Sequence, residues 1–518
     1  KAWGLGRPSA AGGGAGGTTP RPTRTLGKIW GRRFFPPSRR FFRFLVGVSG
    51  YAIALMKSMT YLSTRGKTPE MGFSEAVMTG LAPDGGLLVP SRLPDVRADL
   101  KAWASLSYPE LAFEIFSRFT DLPADDLRRL IDRSYAAFDH PDVAPTIPVG
   151  PVQVLELFHG PTLAFKDIAL QFLSNFFEYH LKKTGGRLNI LGATSGDTGS
   201  AAIHGVAGRE RIRIFIMHPK GRVSPLQEKQ MTSVLDDNVF NIALEGTFDD
   251  GQRIMKTLFE DVKFKDKHAL GAINSVNWAR VLAQIVYYFY AGLGVMRRTG
   301  AARVRFAVPT GNFGDVLAGY YAARMGLPVG RLILATNEND ILARFFATGE
   351  YRMGKVVPTI SPSMDIQVAS NFERYLYDRV DRNPATLRGL MKTFGETGAL
   401  SIPVADGEPV DALFTAGIGG TAKTLSVIRR YQREHGYLLD PHTAVGVYVA
   451  EQHLAEDEPM ICLATAHPAK FPQAISDAVG RDIARHPALE ALKDAPTRCI
   501  TLPNEIKAVR KYVAEHAG

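Results

Sequence analysis

The chain has 518 residues, a formal net charge of +11, and a composition that is 45% hydrophobic and 22% charged. This composition is typical of a soluble globular protein, and the length predicts two or three domains rather than one small domain. Its two cysteines, Cys462 and Cys499, and its scattered histidines provide neither a disulfide framework nor a Cys/His cluster at metal-ligand spacing. We therefore predict no metal site, and we expect the protein in a reducing cytoplasm.

Residues 1–55 hold ten Lys or Arg and no Asp or Glu, so almost all of the net charge arises there and the remaining chain is close to neutral. The charge of the main body therefore gives no case for a nucleic-acid partner. The stretch contains a Gly/Pro-rich run, "AAGGGAGGTTPRPTR", which cannot build a core. It ends in an apolar run, "FLVGVSGYAIAL", which is too short and too often interrupted by glycine to span a membrane. We interpret it as a disordered or spuriously translated extension ahead of Met56 or Met59, with a targeting peptide as the alternative.

Two further regions follow this extension. Residues 56–148 are predicted to form a small N-terminal domain, in which "LAPDGGLLVPSRLP" (81–94) indicates a turn before a short strand. In residues 149–518, short β-branched runs alternate with helical ones. This alternation predicts an α/β fold with parallel sheets covered by helices on both faces. Ligands in such folds bind where the carboxyl ends of strands meet the N-termini of helices.

The stretch "LFHGPTLAFKDIAL" (157–170) places Lys166 among apolar neighbours at the start of a predicted helix. Burial would lower the pKa of the lysine ammonium and make the neutral amine available as a nucleophile. Such an amine suits Schiff-base chemistry. The alternative is a lysine beside Asp167 whose stem is buried and whose charged end reaches solvent.

Two strand-to-helix junctions are candidate anion sites. The first is "LGATSGDTGSAA" (191–202), where a strand predicted over 188–192 ends and a helix begins near Thr198. The residues between them are small or carry hydroxyl groups, so they could bind an anion at the positive end of the helix. A tight turn with a capping box is the alternative for this stretch.

The second junction is "VPTGNFGDVLAGYYAA" (308–323), in which Gly311 and Gly314 would allow the backbone to approach a phosphate closely. Neither junction has the lysine of a Walker A loop or matches GxGxxG. Two anion sites and one apolar-flanked lysine together indicate a phosphorylated cofactor, an anionic substrate and a Schiff base. Pyridoxal phosphate fits this combination.

Residues 59 to about 515 resemble the threonine synthases, a family of pyridoxal-phosphate enzymes. The resemblance is carried, in order along the chain, by "FHGPTLAFKD" (158–167), "ATSGDTG" (193–199), "SPLQEKQM" (224–231), "NSVNWARVLAQIVYY" (274–288), "PTGNFGD" (309–315), "LATNEND" (334–340) and "TAHPAKF" (465–471). It implies the tryptophan synthase β-like fold, fold type II, with two parallel-sheet α/β domains preceded by the small N-terminal domain. Residues 1–55 resemble nothing in the family.

The resemblance also implies which residues bind pyridoxal 5′-phosphate. Lys166 corresponds to the lysine that bonds covalently to the cofactor and then moves protons. Asp197 corresponds to the side chain near the cofactor's 3′-oxygen, and Thr465 corresponds to the hydroxyl beside the pyridine nitrogen. The backbone N–H groups of one loop correspond to those that hold the cofactor phosphate: Gly311, Asn312, Phe313 and Gly314.

For the substrate, the resemblance implies contacts from Thr194, Ser195 and Thr198 to its anionic groups. Lys220, in "HPKGRVSP", is a candidate for the substrate phosphate, and an ordinary surface lysine is the alternative.

The implied reaction converts O-phospho-L-homoserine and water to L-threonine and phosphate, the last step of threonine biosynthesis, in a monomer or homodimer. A phospho-lyase that releases 2-oxobutyrate is the nearest alternative. A non-catalytic ligand-binding homologue is a second alternative, although Lys166 and both loops are intact. A nucleic-acid-binding protein is a third alternative, and it would depend wholly on residues 1–55.

Overall fold

A computed structural model describes residues 59–194, 196–405 and 407–518 of the protein. The expectation for residues 1–55 therefore lies outside the described residues. The N-terminal region contains one two-stranded antiparallel sheet and four helices: β1 (Tyr61–Ser63), α1 (Phe73–Thr79), β2 (Leu88–Pro90), α2 (Leu100–Trp103), α3 (Tyr108–Ser117) and α4 (Ala124–Tyr135). The predicted turn and short strand are confirmed, because Gly85 has a φ of 78° and β2 follows it.

Strands and helices then alternate, as the sequence predicts. The next segment comprises β3 (Thr146–Val149), β4 (Val152–Glu156), α5 (Lys166–Thr184), β5 (Leu188–Ala193), α6 (Asp197–Val206), β6 (Ile212–Pro219), α7 (Pro225–Thr232), β7 (Val239–Glu245), α8 (Phe248–Glu260), α9 (Val262–Lys267) and β8 (Leu270–Gly271). The strand predicted over 188–192 is one residue longer, and its helix begins at Asp197, one residue before the predicted start.

The remaining elements complete both sheets. They comprise α10 (Trp278–Thr299), β9 (Val304–Pro309), α11 (Gly314–Met325), β10 (Val329–Thr336), α12 (Ile341–Thr348), β11 (Glu350–Arg352), α13 (Phe372–Arg379), α14 (Pro384–Thr397), β12 (Ala399–Ser401), β13 (Phe414–Ile418), α15 (Thr421–His435), α16 (Pro441–Ala450), β14 (Met460–Ala464), α17 (Pro472–Val479), α18 (Pro487–Glu490), β15 (Ile500–Pro503) and α19 (Ile506–His516). Short 3₁₀ turns lie at Pro362–Met364, Glu451–His453 and Pro468–Lys470.

Two parallel sheets organise the chain. The larger has the strand order β13-β10-β9-β14-β4-β3 and is parallel except for β3, which pairs antiparallel to β4 at one edge. The smaller has the order β15-β7-β6-β5-β8 and is parallel throughout. Inner strands such as β14 are buried along their whole length, as expected for sheets covered on both faces. The predicted fold class, two parallel-sheet α/β domains of fold type II after a small N-terminal domain, is confirmed.

Helix α10 lies at the centre of the core. By its length and composition alone, this helix could cross a membrane. However, 83% of its most apolar 18-residue stretch is buried inside the described part of the protein. Its Trp278 packs against Tyr61 and Phe119 of the N-terminal region, with ring centroids 5.9 and 5.8 Å away. Because protein surrounds most of its apolar surface, α10 is a core helix that joins the N-terminal region to the sheets.

Candidate active site

The site is a cavity of about 530 Å³ at the carboxyl ends of strands from both sheets. The loop after β5 and the loop after β9, which are the two predicted anion sites, both line it, and so does the residue that follows β14. Lys166 enters the same cavity from the first turn of α5. A cavity of this size, with polar groups converging from several elements, suits a small-molecule ligand or cofactor.

The Lys166 segment is fixed by the chain that follows β14. The backbone N–H of Phe165 donates to the carbonyl of Thr465 at 2.9 Å, and that of His467 donates to the carbonyl of Leu163 at 3.0 Å. These contacts bring the stretches "FHGPTLAFKD" and "TAHPAKF" together although they lie about 300 residues apart along the chain. They also explain how Thr465 comes to line the cavity with Lys166.

Lys166 is largely buried and lies beside a carboxylate. Its Nζ is 3.7 Å from Oδ2 of Asp197, and its side chain is 12% exposed. Burial lowers the pKa of the Lys166 ammonium; Asp197 opposes this shift, and the positive charges of Lys470 and Arg280 reinforce it. Lys166 therefore has the lowered pKa that the sequence predicts for an apolar-flanked lysine, and it lines the cavity.

Asp197 is the centre of a charged group. Burial alone would raise the pKa of its carboxyl, but the charges of Lys470 and Lys166 hold that pKa well below its usual range. Lys470 Nζ lies 2.8 Å from Oδ1 of Asp197, and Gln227 donates to the same oxygen at 3.1 Å. Lys470 and Gln227 were not identified from the sequence, although both lie within stretches that carry the family resemblance.

The loop after β9 is shaped by close backbone contacts. A Cβ added to Gly311 would lie 2.5 Å from the carbonyl oxygen of Ser363, so only glycine fits there. Phe313 has a φ of 64°, and its ring is buried against Phe372, with centroids 5.4 Å apart. Asn371 holds the carbonyl of Asn312 through its backbone N–H at 3.1 Å and its side-chain amide at 3.2 Å. Helix α11 begins directly after this loop, so the loop lies at a positive helix end.

Two further ionisable groups of the cavity were not identified from the sequence. Arg280, on the first turn of α10, lines the cavity with its Nη1 buried and without a hydrogen-bond partner among the described residues. Burial lowers the pKa of its guanidinium to about 10, so it remains charged at neutral pH. A buried, unpaired guanidinium is costly unless an anion binds to it. It therefore marks a position for an anionic group of a ligand.

Asp315 lies in the first turn of α11, directly after the loop that follows β9, and it also lines the cavity. Its Oδ1 accepts hydrogen bonds from the hydroxyls of Tyr287 at 2.5 Å and Tyr288 at 3.0 Å, and its Oδ2 is buried without a partner. Burial raises the pKa of Asp315 to about 6, although both tyrosine hydroxyls oppose the shift.

The remaining predicted site residues have different positions. Thr194, Thr198 and Thr465 line the cavity with the residues described above. The Thr194 hydroxyl also accepts from the backbone N–H groups of Gly196 and Gly199, both at 3.2 Å, which fits the tight turn of the alternative interpretation. The capping box of that interpretation does not fit, because the N-cap residue of α6 is Gly196, which has no side chain. Ser195 lies outside the described residues. Lys220 is not among the residues that line the cavity; its half-exposed side chain pairs instead with Glu245 at 3.4 Å.

Comparison with known proteins agrees with this geometry. The family model described as "Threonine synthase N terminus" matches residues 60–135, "Pyridoxal-phosphate dependent enzyme" matches residues 151–389, and "Threonine synthase, C-terminal" matches residues 443–513. Threonine synthase of Schizosaccharomyces pombe is 46% identical over 460 residues, covering 82% of this chain and 90% of that one. Threonine synthase of Pseudomonas aeruginosa is 46% identical over 471 residues, covering 89% and 99%.

A solved structure also matches along almost the whole described chain. The pyridoxal-phosphate-bound threonine synthase of Brucella melitensis superimposes with a TM-score of 0.84 at 45% identity, covering 89% of this chain and 100% of that one. Pyridoxal phosphate is thus the cofactor that the fold and the family indicate, and the lysine amine, the glycine loop and the cavity fit it. The chain belongs to the threonine synthase family.

Proposed function

We infer that the protein converts O-phospho-L-homoserine and water to L-threonine and phosphate. The observation that carries this inference is one cavity that holds the Lys166 amine, a glycine loop at a helix N-terminus and the unpaired Arg280 guanidinium. Family membership over nearly the whole chain gives the reaction, and these groups supply what the reaction needs. The unpaired cation suits any ligand with an anionic group, whereas a buried lysine with a lowered pKa in the same cavity favours an enzyme over a non-catalytic ligand-binding homologue.

The cofactor would be held by residues of both sheets. We propose that Lys166 Nζ forms its covalent link, that the backbone N–H groups of residues 311–314 bind its phosphate, and that Asp197 lies at its 3′-oxygen. The Thr465 hydroxyl, which would meet the pyridine nitrogen, can hydrogen-bond that atom without carrying a charge. Pyridoxal phosphate supplies delocalisation of the negative charge that develops on the substrate carbons.

The substrate has a carboxylate and a phosphate, and each needs a partner. We propose that Arg280 binds one of them, because its buried guanidinium gains most from an anion in a site of low dielectric constant. Thr194 and Thr198, at the positive end of α6, would bind the other, and the family resemblance adds Ser195 to them. Lys220 is left out of this proposal because it pairs with Glu245 away from the cavity. Tight binding of the phosphate until it leaves keeps the reacting carbon in place.

Lys166 is the base of the proposed mechanism. Once the substrate's amino group has displaced Lys166 from its covalent link, the freed Lys166 amine would remove the proton from Cα of the bound substrate and later return protons to the substrate carbons. Burial, together with the nearby Lys470 and Arg280, favours the neutral form that this role requires. A second proton leaves Cβ and phosphate leaves Cγ. Cγ then takes up a proton, water adds its hydroxyl at Cβ, and a proton returns to Cα, which gives threonine.

Product analysis tests this function directly. The purified protein, loaded with pyridoxal phosphate, is incubated with O-phospho-L-homoserine and followed by proton and phosphorus NMR. We expect threonine and inorganic phosphate in equal amounts, and neither from a Lys166→Ala variant, which should also lose its borohydride-reducible link to the cofactor. Phosphate with 2-oxobutyrate in place of threonine would instead identify a phospho-lyase, and the absence of turnover would contradict an enzyme function.

A further inference from the structure

Lys470 is a buried lysine that takes no direct part in the proposed proton transfers. It lies in the 3₁₀ turn after β14 and is 2% exposed. Its Nζ contacts Oδ1 of Asp197 at 2.8 Å and donates to the carbonyl oxygen of Thr162 at 2.6 Å. The removal of a lysine charge from water is costly, so a lysine in this position needs close partners. Lys470 has two such partners, and one of them is the carboxylate beside Lys166.

The two oxygens of Asp197 have separate environments. Oδ1 is bound by Lys470 and by the amide of Gln227 at 3.1 Å. Oδ2 lies 3.7 Å from Lys166 Nζ and 3.5 Å from the hydroxyl of Ser363. The carboxylate is therefore held through one oxygen, and its other oxygen is directed toward the lysine that reacts.

This arrangement matters because Lys166 does not keep its charge. When Lys166 acts as a neutral amine, Asp197 loses one of its two cationic neighbours and remains buried. A buried carboxylate without a partner would take up a proton or turn toward water. Lys470 contacts Oδ1 of Asp197 and not Oδ2, so this contact can persist when Lys166 becomes neutral.

We propose that Lys470 is a positioning residue that keeps Asp197 ionised and directs Oδ2 toward the nitrogen of Lys166. This role rests on the proposed function of Lys166 as the residue that links to the cofactor. Other titratable groups bear electrostatically on Lys470, Asp197 and Lys166. Arg280 favours the neutral form of Lys166, His442 acts on Asp197, and Asp167 and His204 are both acted on by the charge of Lys470. Nε2 of His442 accepts the backbone N–H of Ser363 and Nδ1 contacts Asp440, so its ring is fixed by neighbours other than Asp197.

The test is a spectroscopic titration of the full-length, cofactor-loaded protein without substrate. The absorbance of bound pyridoxal phosphate changes as the nitrogen that joins it to Lys166 loses its proton, so the pH midpoint reports the electrostatic field at that nitrogen. Without Lys470, loss of the proton from that nitrogen would leave Asp197 buried with neither lysine charge beside it, so the nitrogen should keep its proton to higher pH. Lys470→Met is expected to raise the midpoint by about one pH unit, the usual effect of a charge within a few ångströms. Asp197→Asn is expected to lower it.

Two further variants separate charge from packing. Lys470→Gln keeps a hydrogen-bond donor for Asp197 but no charge, so it should raise the midpoint like Lys470→Met and provides the measurement if the methionine variant fails to fold. Lys470→Arg keeps the charge and should leave the midpoint near that of the parent. The matched control is Lys229→Met on α7, which removes a lysine that donates to the carbonyls of Lys493 at 2.8 Å and Ala495 at 3.1 Å, away from the cavity.

A double variant tests whether Lys470 acts through Asp197. If it does, Lys470→Met should move the midpoint much less in an Asp197→Asn background than in the parent. The proposal would be overturned by an unchanged midpoint in both Lys470→Met and Lys470→Gln. It would also be overturned if Lys470→Arg or Lys229→Met shifted the midpoint as much as Lys470→Met does. Because the titration needs no substrate, failure here is distinct from failure of the parent protein to make threonine.

Discussion

Asp315 is a carboxyl group whose burial affects both protonation and stability. Two tyrosine hydroxyls donate to its Oδ1, but no cation lies within bonding distance among the described residues, and its Oδ2 has no hydrogen-bond partner. Its pKa is raised to about 6 from a usual 3.8, mainly by burial. The folded protein therefore binds this proton more tightly than the unfolded chain does, so the group stabilises the fold most at low pH.

The expected consequence is a loss of stability as the pH rises from about 4 to about 6, the interval between the unfolded and folded pKa values. The loss from this one group is about 3 kcal/mol. Asp315→Asn can still accept both tyrosine hydrogen bonds and never ionises, so it should not show this loss. Urea unfolding of parent and variant from pH 3.5 to 7 isolates the effect as the difference between the two curves. If the two curves stay parallel across this range, Asp315 does not hold a proton in the folded protein.

Single residues of the site differ in how far the sequence revealed them. Lys166 could be predicted because its apolar neighbours lie in the same short stretch, so its burial is a local property. Lys470 and Arg280 could not be predicted, because the residues that bury or contact their charged groups come from distant parts of the chain. Lys470 contacts Asp197 across more than 270 residues, and Arg280 lies on a helix that resembles any core helix in its pattern. Burial of a charge by distant elements leaves no local signal.

At the scale of elements, the unit formed by β9, its loop and α11 depends on a glycine. A Cβ at position 311 would meet the backbone carbonyl of Ser363 at 2.5 Å and the Cα of Met364 at 3.4 Å. Backbone atoms cannot rotate away as a flexible side chain can, so the loop itself would have to move. The displaced loop includes the N–H groups proposed to bind the cofactor phosphate.

Gly311→Ala is therefore expected to weaken pyridoxal-phosphate binding by about tenfold or more, equivalent to about 1.4 kcal/mol. The control is Gly389→Ala in the interior of α14, where an added Cβ meets no atom within 4 Å. That change should leave binding unchanged and raise stability slightly, because alanine favours helices over glycine. Equilibrium dialysis of the two variants against the cofactor compares them, and equal affinities would mean that the loop tolerates a side chain.

The elements themselves were largely predictable, whereas their arrangement was not. The strand-loop-helix units around residues 191–202 and 308–323 follow from local patterns, and the bounds predicted for the first unit differ from the observed ones by one residue. The pairing of β4 with β14, in which Val154 faces Cys462, and the antiparallel edge strand β3 did not follow from the sequence. Parallel strands pair segments that are remote in the chain, whereas turn residues can indicate pairing only between segments that are adjacent in the chain.

At the scale of the whole molecule, the N-terminal region is tied to the cofactor loop by buried polar contacts. The fully buried Arg374 donates to the carbonyls of Leu88 at 2.8 Å and Val276 at 2.5 Å, and to Oδ1 of Asn371 at 2.5 Å. Asn371 in turn holds the carbonyl of Asn312 in the loop after β9. Strand β2 and the proposed phosphate site therefore share one hydrogen-bond network. We propose residues 56–148 and 149–518 as the domains, with the first supporting the site of the second.

This network predicts where the chain can be shortened. Residues 1–55 resemble nothing in the family and precede the family match, which begins at residue 60, so a chain that starts at Met56 should keep its solubility, cofactor content and threonine production. A chain that starts at Lys67 should lose all three. It would lack β1, including the fully buried Tyr61, whose hydroxyl donates to the carbonyl of Phe119, and Thr64, which donates to Glu373 next to Arg374. Soluble yield, absorbance of bound cofactor per chain and NMR of the product compare the two truncations. Loss of cofactor from the chain that starts at Met56 would give the extension a structural role.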